Sequence, residues 1–526
     1  MNLTEQLRSM ILAIATLCCT SHNTRISVIH LGGISMHSCS RFVLARFRTL
    51  SIAMALGLSL ALVVSCGGSG GGGGSAAGGS PGGGGTCSAG SGGTSGSLDT
   101  TFASVGYVTK INTSGTLGDN DFANAVAVDS NCAITAAGAS LGSSFVRYMT
   151  IWRYQNEGTL DTSFAGTGYV VKTATAGAIN VFRNDLAFAM SARGGEIVTM
   201  GRSNDVNMLP NMAAWRYTTA GAVDTSFNST GYVTKVGTSG GTDDQAFGGT
   251  TDSSGNLTLT GISRNGGNQY MAVWRYLNTG AVDTSFASPN GYALRLGDAG
   301  AGSTDQGYGV VLDGSGRTLV TGYSGTSSAY MMIWRFKTDG TLDTTGFGGG
   351  SGFTKITGST GSGTGDAGRA LILDGSGNIV VVGQSVTAAL ATHMAVWRYT
   401  SAGVLDTTFG TGGVFHMTST VVGGTGQDIA NAVAIDGSGR IVVAGTSRDS
   451  SFRTNLAVWR LTSSGALDTT FGSPNGFVTK IGTAGASGDL DQGNAVAIDS
   501  QGRIIVAGVS QDSTSKRYLA IWRFNP

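Results

Sequence analysis

From about residue 97 to the end, short runs of alternating apolar and polar residues recur, and none follows a helical period. Residues 431–481 show one cycle. Asn431-Ala-Val-Ala-Ile-Asp436 alternates as a strand, Gly437-Ser-Gly439 is a tight turn, and Arg440-Ile-Val-Val-Ala-Gly445 is a second strand. The pair predicts a hairpin. A polar loop leads to a third predicted strand, Leu456-Ala-Val-Trp-Arg-Leu461. Ser463-Ser-Gly465 then turns into Leu467-Asp-Thr-Thr-Phe471, and Gly476-Phe-Val-Thr-Lys-Ile481 predicts a fourth strand.

The cycle returns along the whole body. All seven tryptophans sit before an arginine on the third strand, at Trp152, Trp215, Trp274, Trp334, Trp397, Trp459 and Trp522. Their gaps are 63, 59, 60, 63, 62 and 63 residues. A Leu/Val-Asp-Thr phrase recurs in step, at Asp99, Asp161, Asp224, Asp283, Asp343, Asp406 and Asp468. A fixed period of this size marks a repeat architecture. Four short strands per unit predict an all-β, seven-bladed β-propeller of four-stranded antiparallel blades. A stacked β-solenoid is the rival, but its coils are usually much shorter than these units. The chain ends in a third strand, Leu519–Phe524, and the body begins with a fourth, Gly106–Ile111. Pairing the two predicts a ring closed by N- and C-terminal strands, which removes exposed sheet edges.

Asp436-Gly-Ser-Gly-Arg-Ile-Val-Val-Ala-Gly445 and Gly465-Ala-Leu-Asp-Thr-Thr-Phe-Gly472 resemble the bacterial delta-60 repeat family. The resemblance spans all the units. It implies predicted β-propeller repeats and no catalytic residues. The chain departs from the family in placing Trp before the recurrent Arg. It departs again in the second unit, where Ala192-Arg-Gly-Gly195 replaces the Asp-Gly turn.

The first 96 residues read differently. Arg41, Arg46 and Arg48 precede an apolar run from Leu50 to Val64, and Val63-Val64-Ser65-Cys66 follows the pattern of a signal peptide. The box resembles that of bacterial lipoproteins, which implies that Cys66 is the lipidated first residue of the mature chain. A single membrane anchor is the competing reading, but the run is short for a span of about 20 residues. Residues 1–65 are thus a signal region, within which 1–35 reads as an over-called gene start because Met36 opens a signal of ordinary length. Residues 66–96 are a Gly/Ser-rich tether, and 97–526 the repeat body. Export permits a disulfide between Cys87 and Cys132, with two free thiols as the alternative.

Without residues 1–65 the chain holds 27 basic and 30 acidic residues. No basic stripe is left to meet a phosphate backbone, so nucleic acid is excluded as a partner. The only membrane contact expected is the lipid.

Comparing the units shows what is held fixed. In the six complete cases each Trp precedes its aspartate by nine residues. A further aspartate opens each first strand (Asp121, Asp185, Asp244, Asp305, Asp366, Asp428, Asp491), and the glycine ending the second strand follows 17 residues later, or 16 in the second unit. The fourth-to-first and second-to-third loops vary in length. In a propeller these loops share one face, and binding loops vary where frameworks do not. The variable-loop face is therefore the expected contact surface for a protein or glycan.

Trp and Arg are adjacent on a strand and point to opposite sides. Seven-fold repetition assigns them to structure: Trp to the core, Arg to a recurrent Asp. The aspartates read as turn caps rather than calcium ligands, since no Asp-x-Asp-x-Asp-Gly loop occurs. Beyond the signal region the histidines are His393 and His416, the latter in the slot Lys fills in most units. Neither stands beside a nucleophile. The sequence therefore predicts no metal, no cofactor and no catalytic residue. It predicts an exported, lipid-anchored binding or interaction module at the cell envelope, in the outer membrane and facing the periplasm or the surface. The alternative is an exported hydrolase or lyase with its site at the channel mouth.

Overall fold

The computed structural model describes residues 27–31, 34–38, 87 and 92–526, the last range without 116–119, 143–145, 178–183, 194, 301, 303, 327–328, 362–364, 422–423, 425 and 486–489. Cys66 and nearly all of the tether lie outside the described residues. The chain divides into two compact units, Met1–Leu62 and Val63–Pro526. In the first, Ser27–Leu31 and Ile34–Ser38 form an antiparallel hairpin. Among the described residues no helix is long and apolar enough to cross a membrane.

Among its described residues the second unit is built from β-strands, with one three-residue 3-10 turn at Gly348–Gly350. Five of its sheets are four-stranded and antiparallel, their strands adjacent in chain order. The first of these runs through Asn120–Val128, Ile134–Leu141, Arg147–Tyr154 and Tyr169–Lys172. A larger, eight-stranded sheet contains two further sets of four, joined by one parallel pair, Thr454 with Leu490. The same junction recurs elsewhere as isolated parallel bridges, such as Arg147–Asn184 and Thr392–Gln427. The third strand of one set thus starts beside the first strand of the next.

The last set takes its fourth strand from the front of the body. Tyr107–Lys110 pairs antiparallel with Arg517–Phe524, placing Val108 opposite Ile521 and Tyr107 opposite Trp522. First strands pack on one another in succession, and Leu490–Ile498 packs on Asn120–Val128. Cys87 is disulfide-bonded to Cys132, which lies in the first turn of the first set.

Alternation decides which residues form the core. All seven Trp side chains are fully buried, among Val, Ile and Ala of neighbouring strands. Replacing so large a buried ring by Ala removes about 3–5 kcal/mol.

Each first strand also carries one extra residue. The register slips between Ala430 and Ala432, for example, and at the matching place in the other six sets. Such a bulge re-aims one side chain. It also explains the invariant second-strand glycine, because a Cβ at Gly445 would land on the Ile429 carbonyl oxygen. The second set is shorter by one residue because Arg193 pairs directly with Glu196, leaving a two-residue turn.

Candidate functional site

The residues that recur most strictly form a scaffold. In the last set, Trp522 Nε1 donates to Thr483 Oγ1 at 2.9 Å, and Thr483 Oγ1 and Ser510 Oγ each donate to Asp491 at 2.5 Å. The Thr483 backbone N–H adds a bond of 3.1 Å. Burial pushes the Asp491 carboxyl above the usual 3.8, against these hydrogen bonds and the nearby Lys480, which pull it down. The six other first-strand aspartates are raised for the same first reason.

The fourth set tests the scheme. There Asp298 replaces the hydroxyl residue and accepts a hydrogen bond from Trp334 Nε1 at 2.6 Å, while Arg295 takes the lysine slot and donates its Nε–H to Asp298 at 2.8 Å. A second carboxylate was accommodated only together with a guanidinium to neutralise it.

On the opposite side of each third strand, the arginine meets its own recurrent aspartate in all seven sets. The separations are 3.1 Å for Arg153–Asp161, 2.8 Å for Arg216–Asp224, 3.2 Å for Arg275–Asp283, 2.8 Å for Arg335–Asp343, 2.7 Å for Arg398–Asp406, 2.7 Å for Arg460–Asp468 and 2.9 Å for Arg523–Asp99. Arg460 also lies 4.8 Å over the Phe471 ring. At Asp468 partial burial pushes the carboxyl up, but bonds from Thr470 and the Arg460 charge carry it below 3.8.

Asp491 and Asp468 therefore respond oppositely to acid. A raised folded pKa contributes stability that is complete below 3.8 and lost as pH rises through the folded value; a lowered one contributes stability that is present above 3.8 and lost as pH falls through the folded value. Between pH 6 and 3.8, the stability of the protein relative to its Asp491→Asn variant should rise on acidification. Below 3.8, its advantage over Asp468→Asn should shrink. Urea melts of both variants across this range measure the two slopes, and equal signs would refute the assignment.

Where the units differ, two features stand out. The first is a five-residue turn used on both faces of the sheets. In Asp436–Arg440 the backbone N–H of Gly439 donates to the Asp436 carbonyl, and Asp436 Oδ1 accepts from the N–H groups of Ser438 and Arg440. Gly439 has φ 77°, the left-handed region that glycine tolerates best. Asp449–Arg453, on the variable-loop face, has identical bonds. Its left-handed residue is Phe452, at φ 61°. Met208 and Leu390 occupy the same position at φ 64° and 62°. These side chains are 67%, 51% and 74% exposed.

The second feature is the row of bulged residues on the first strands: Asn124, Phe188, Phe247, Tyr308, Arg369, Asn431 and Asn494. The three asparagines are tied to a neighbouring set. Asn124 Nδ2 donates to the Ala187 carbonyl at 2.9 Å, and Asn431 and Asn494 donate to Gly493 and Ala123 at 2.8 Å. The other four have rings or a guanidinium. Phe188 and Phe247 are 5.4 Å apart, and Phe247 and Tyr308 are 5.8 Å apart. Sequence comparison passed over this row because its members share a position but no residue type.

The two histidines are brought together, with Nδ1 atoms 3.4 Å apart. His416 is exposed and opposes Ala395, whereas Met417 opposes Met394 in the register that lysine holds elsewhere. The expected lysine slot is therefore filled by Met417, and His416 stands one residue earlier, where Lys355 stands in the preceding set. His416 lines a cleft of 530 Å³ with Thr408, Phe415 and Ser464, among which it is the only ionisable group. Among the described residues no three His, Cys, Asp or Glu side chains group as metal ligands.

Residues 375–409 and 437–471 match the family model described as "Domain of unknown function (DUF5122) beta-propeller". The chain carries β-propeller repeats. Each matched stretch runs from a first turn to the phenylalanine that lies under the paired arginine, Phe409 or Phe471. No curated protein matches the sequence. Among solved structures, Sqt1 from Chaetomium thermophilum is 12% identical with a TM-score of 0.39, over 78% of this chain and 96% of that one. The polysaccharide lyase Uly1 is 11% identical with a TM-score of 0.35, over 77% and 90%. A protein of unknown function from Dyadobacter fermentans is 10% identical with a TM-score of 0.35, over 64% and 93%.

Proposed function

We propose that this chain is a closed, seven-bladed propeller that acts as a binding module and engages a protein partner through its variable-loop face. The turn comparison carries the reading. One turn geometry serves both ends of the strands, yet the first-to-second-strand turns hold glycine at the left-handed position everywhere but at the disulfide-bonded Cys132, whereas the variable-loop turns hold exposed Phe452, Leu390 and Met208, with Ser515 beside them. An L-residue there costs roughly 1–2 kcal/mol. A scaffold gains nothing from that strain; a contact surface gains apolar side chains standing clear of the body. The Val108–Ile521 pairing and the packing of Leu490–Ile498 on Asn120–Val128 support the closed ring. We place the module at the cell envelope, tethered through a lipid on Cys66, on the strength of the Val63-Val64-Ser65-Cys66 box.

The test uses native protein purified from membranes of its host. Mass spectrometry should find an acylated Cys66 peptide; an unmodified Ser65–Gly67 peptide removes the anchor from the reading. Photo-crosslinking from position 452 should capture a discrete envelope protein. The variant Met208→Gly/Leu390→Gly/Phe452→Gly should lose that product while gaining about 1 kcal/mol of stability per site. Unchanged capture by the triple variant would reject the variable-loop face as the contact surface.

A further inference from the structure

The bulged row holds a cation that the fold does not use. Arg369 donates Nη2 to Gln384 Oε1 at 2.8 Å, and its shielded Nε finds no acceptor. Among the described residues no carboxylate pairs with it. Burial lowers its pKa, so the protein holds its charge at a cost. The seven scaffold arginines are each matched to an aspartate, and Arg369 is not. The side chain also keeps partial contact with solvent, as do Tyr308, Tyr323 and Gln384 around it.

These neighbours are equipped for a ligand. The Tyr308 and Tyr323 ring centroids are 6.1 Å apart, and the Tyr323 hydroxyl donates to Gln306 Oε1 at 3.2 Å. The Tyr308 hydroxyl makes no hydrogen bond among the described residues. At the other end of the aromatic run, the Arg202 guanidinium lies 5.9 Å from the Phe188 centroid. It donates to Gln245 Oε1 at 2.8 Å, and its Nε is likewise unpaired. The carboxylate nearest to it in effect, Asp243, is already bonded to Arg264 at 2.5 Å. Two guanidiniums with no carboxylate bonded to them thus flank a run of rings, with glutamine amides beside each.

We infer that Arg369 and Tyr308 form a binding site for an acidic sugar, its carboxylate or sulfate on the guanidinium and its ring against the tyrosines. A guanidinium matches a planar oxyanion through paired N–H donors. Aromatic faces take the apolar side of a sugar ring, and glutamine amides take its hydroxyls. The site is separate from the loop tips, so it stands or falls apart from the proposed protein contact.

The experiment is a thermal-shift and calorimetric titration of the full chain with four probes: glucuronate, glucose 6-sulfate, glucose and inorganic sulfate. Glucuronate or glucose 6-sulfate should bind and raise the melting temperature, and the tighter of the two identifies the oxyanion. Glucose and inorganic sulfate should each bind at least tenfold more weakly. Arg369→Gln should weaken the acidic sugar at least tenfold. It should melt no lower than the parent protein, because an unpaired buried charge has been removed. Arg369→Lys should retain part of the binding. Melting of Arg369→Gln well below the parent would assign the residue to structure and overturn the proposal. So would failure of both acidic sugars to bind, undiminished binding by Arg369→Gln, or equal binding of inorganic sulfate.

Discussion

Arg460→Ala should lower the stability of the propeller by about 3–5 kcal/mol, the usual cost of leaving one partner of a buried ion pair alone. Arg460 is 1% exposed and Asp468 10%. The substitution leaves the Asp468 carboxylate facing a void that water reaches poorly, with only the Arg440 guanidinium, 3.8 Å away, as a remaining cation. It also removes the guanidinium from above Phe471 and from its 3.1 Å bond to Thr470 Oγ1. Arg398→Ala should cost less, because Arg398 is 14% exposed and Asp406 15%, so solvent screens the orphaned charge. Urea-unfolding midpoints of the two variants rank them. A negligible loss in Arg460→Ala would contradict the structural role given to all seven pairs.

Deleting residues 97–111 should have an effect of a different kind. It removes the strand opposite Leu519–Trp522, exposing the N–H and C=O groups that Tyr107–Lys110 now satisfies. It also removes Asp99, leaving buried Arg523 without its carboxylate, and Phe102, over which Arg523 lies at 4.8 Å. An exposed, hydrophobic sheet edge recruits other chains. The truncated protein should form oligomers or precipitate where the full chain stays monodisperse, as light scattering would show. A monodisperse truncation with an unchanged melting temperature would exclude this strand as a working part of the last set.

The fold was legible because its strictest demands are local. Trp-Arg alternation places one residue in the core and one at an ion pair, and the repeat shows this seven times. The partnership of Arg398 with Asp406 followed from chemistry alone, since a chain with few charges that repeats both signs must pair them once they are buried. The glycine at position 445 was visible as a constant, but its cause was not: only the backbone bulge opposite explains why a Cβ has no room. The candidate sites were harder to find. Phe452 looked like any loop residue until its φ could be set beside that of Gly439. Arg369 and Tyr308 share a structural position while differing in every chemical respect, so comparing repeats by residue type hid them. His416 was misplaced by one residue although its strand keeps the usual register, with Val414 opposite Trp397 as Tyr169 is opposite Trp152; counting from Gly413 already puts Met417 in the lysine slot.

The union of Tyr107–Lys110 with Arg517–Phe524 also governs the order in which the molecule is completed. The two strands lie about 410 residues apart in the chain. Delivered from its N-terminal end, the chain supplies the second only after nearly all of the body has emerged. During that interval the early strand has no partner, and the sets between can form one after another without it. The final set, not the first, decides when the protein is safe from aggregation. A chain still lacking Arg517–Phe524 would therefore display a nearly complete body with one open seam, the form most in need of a chaperone.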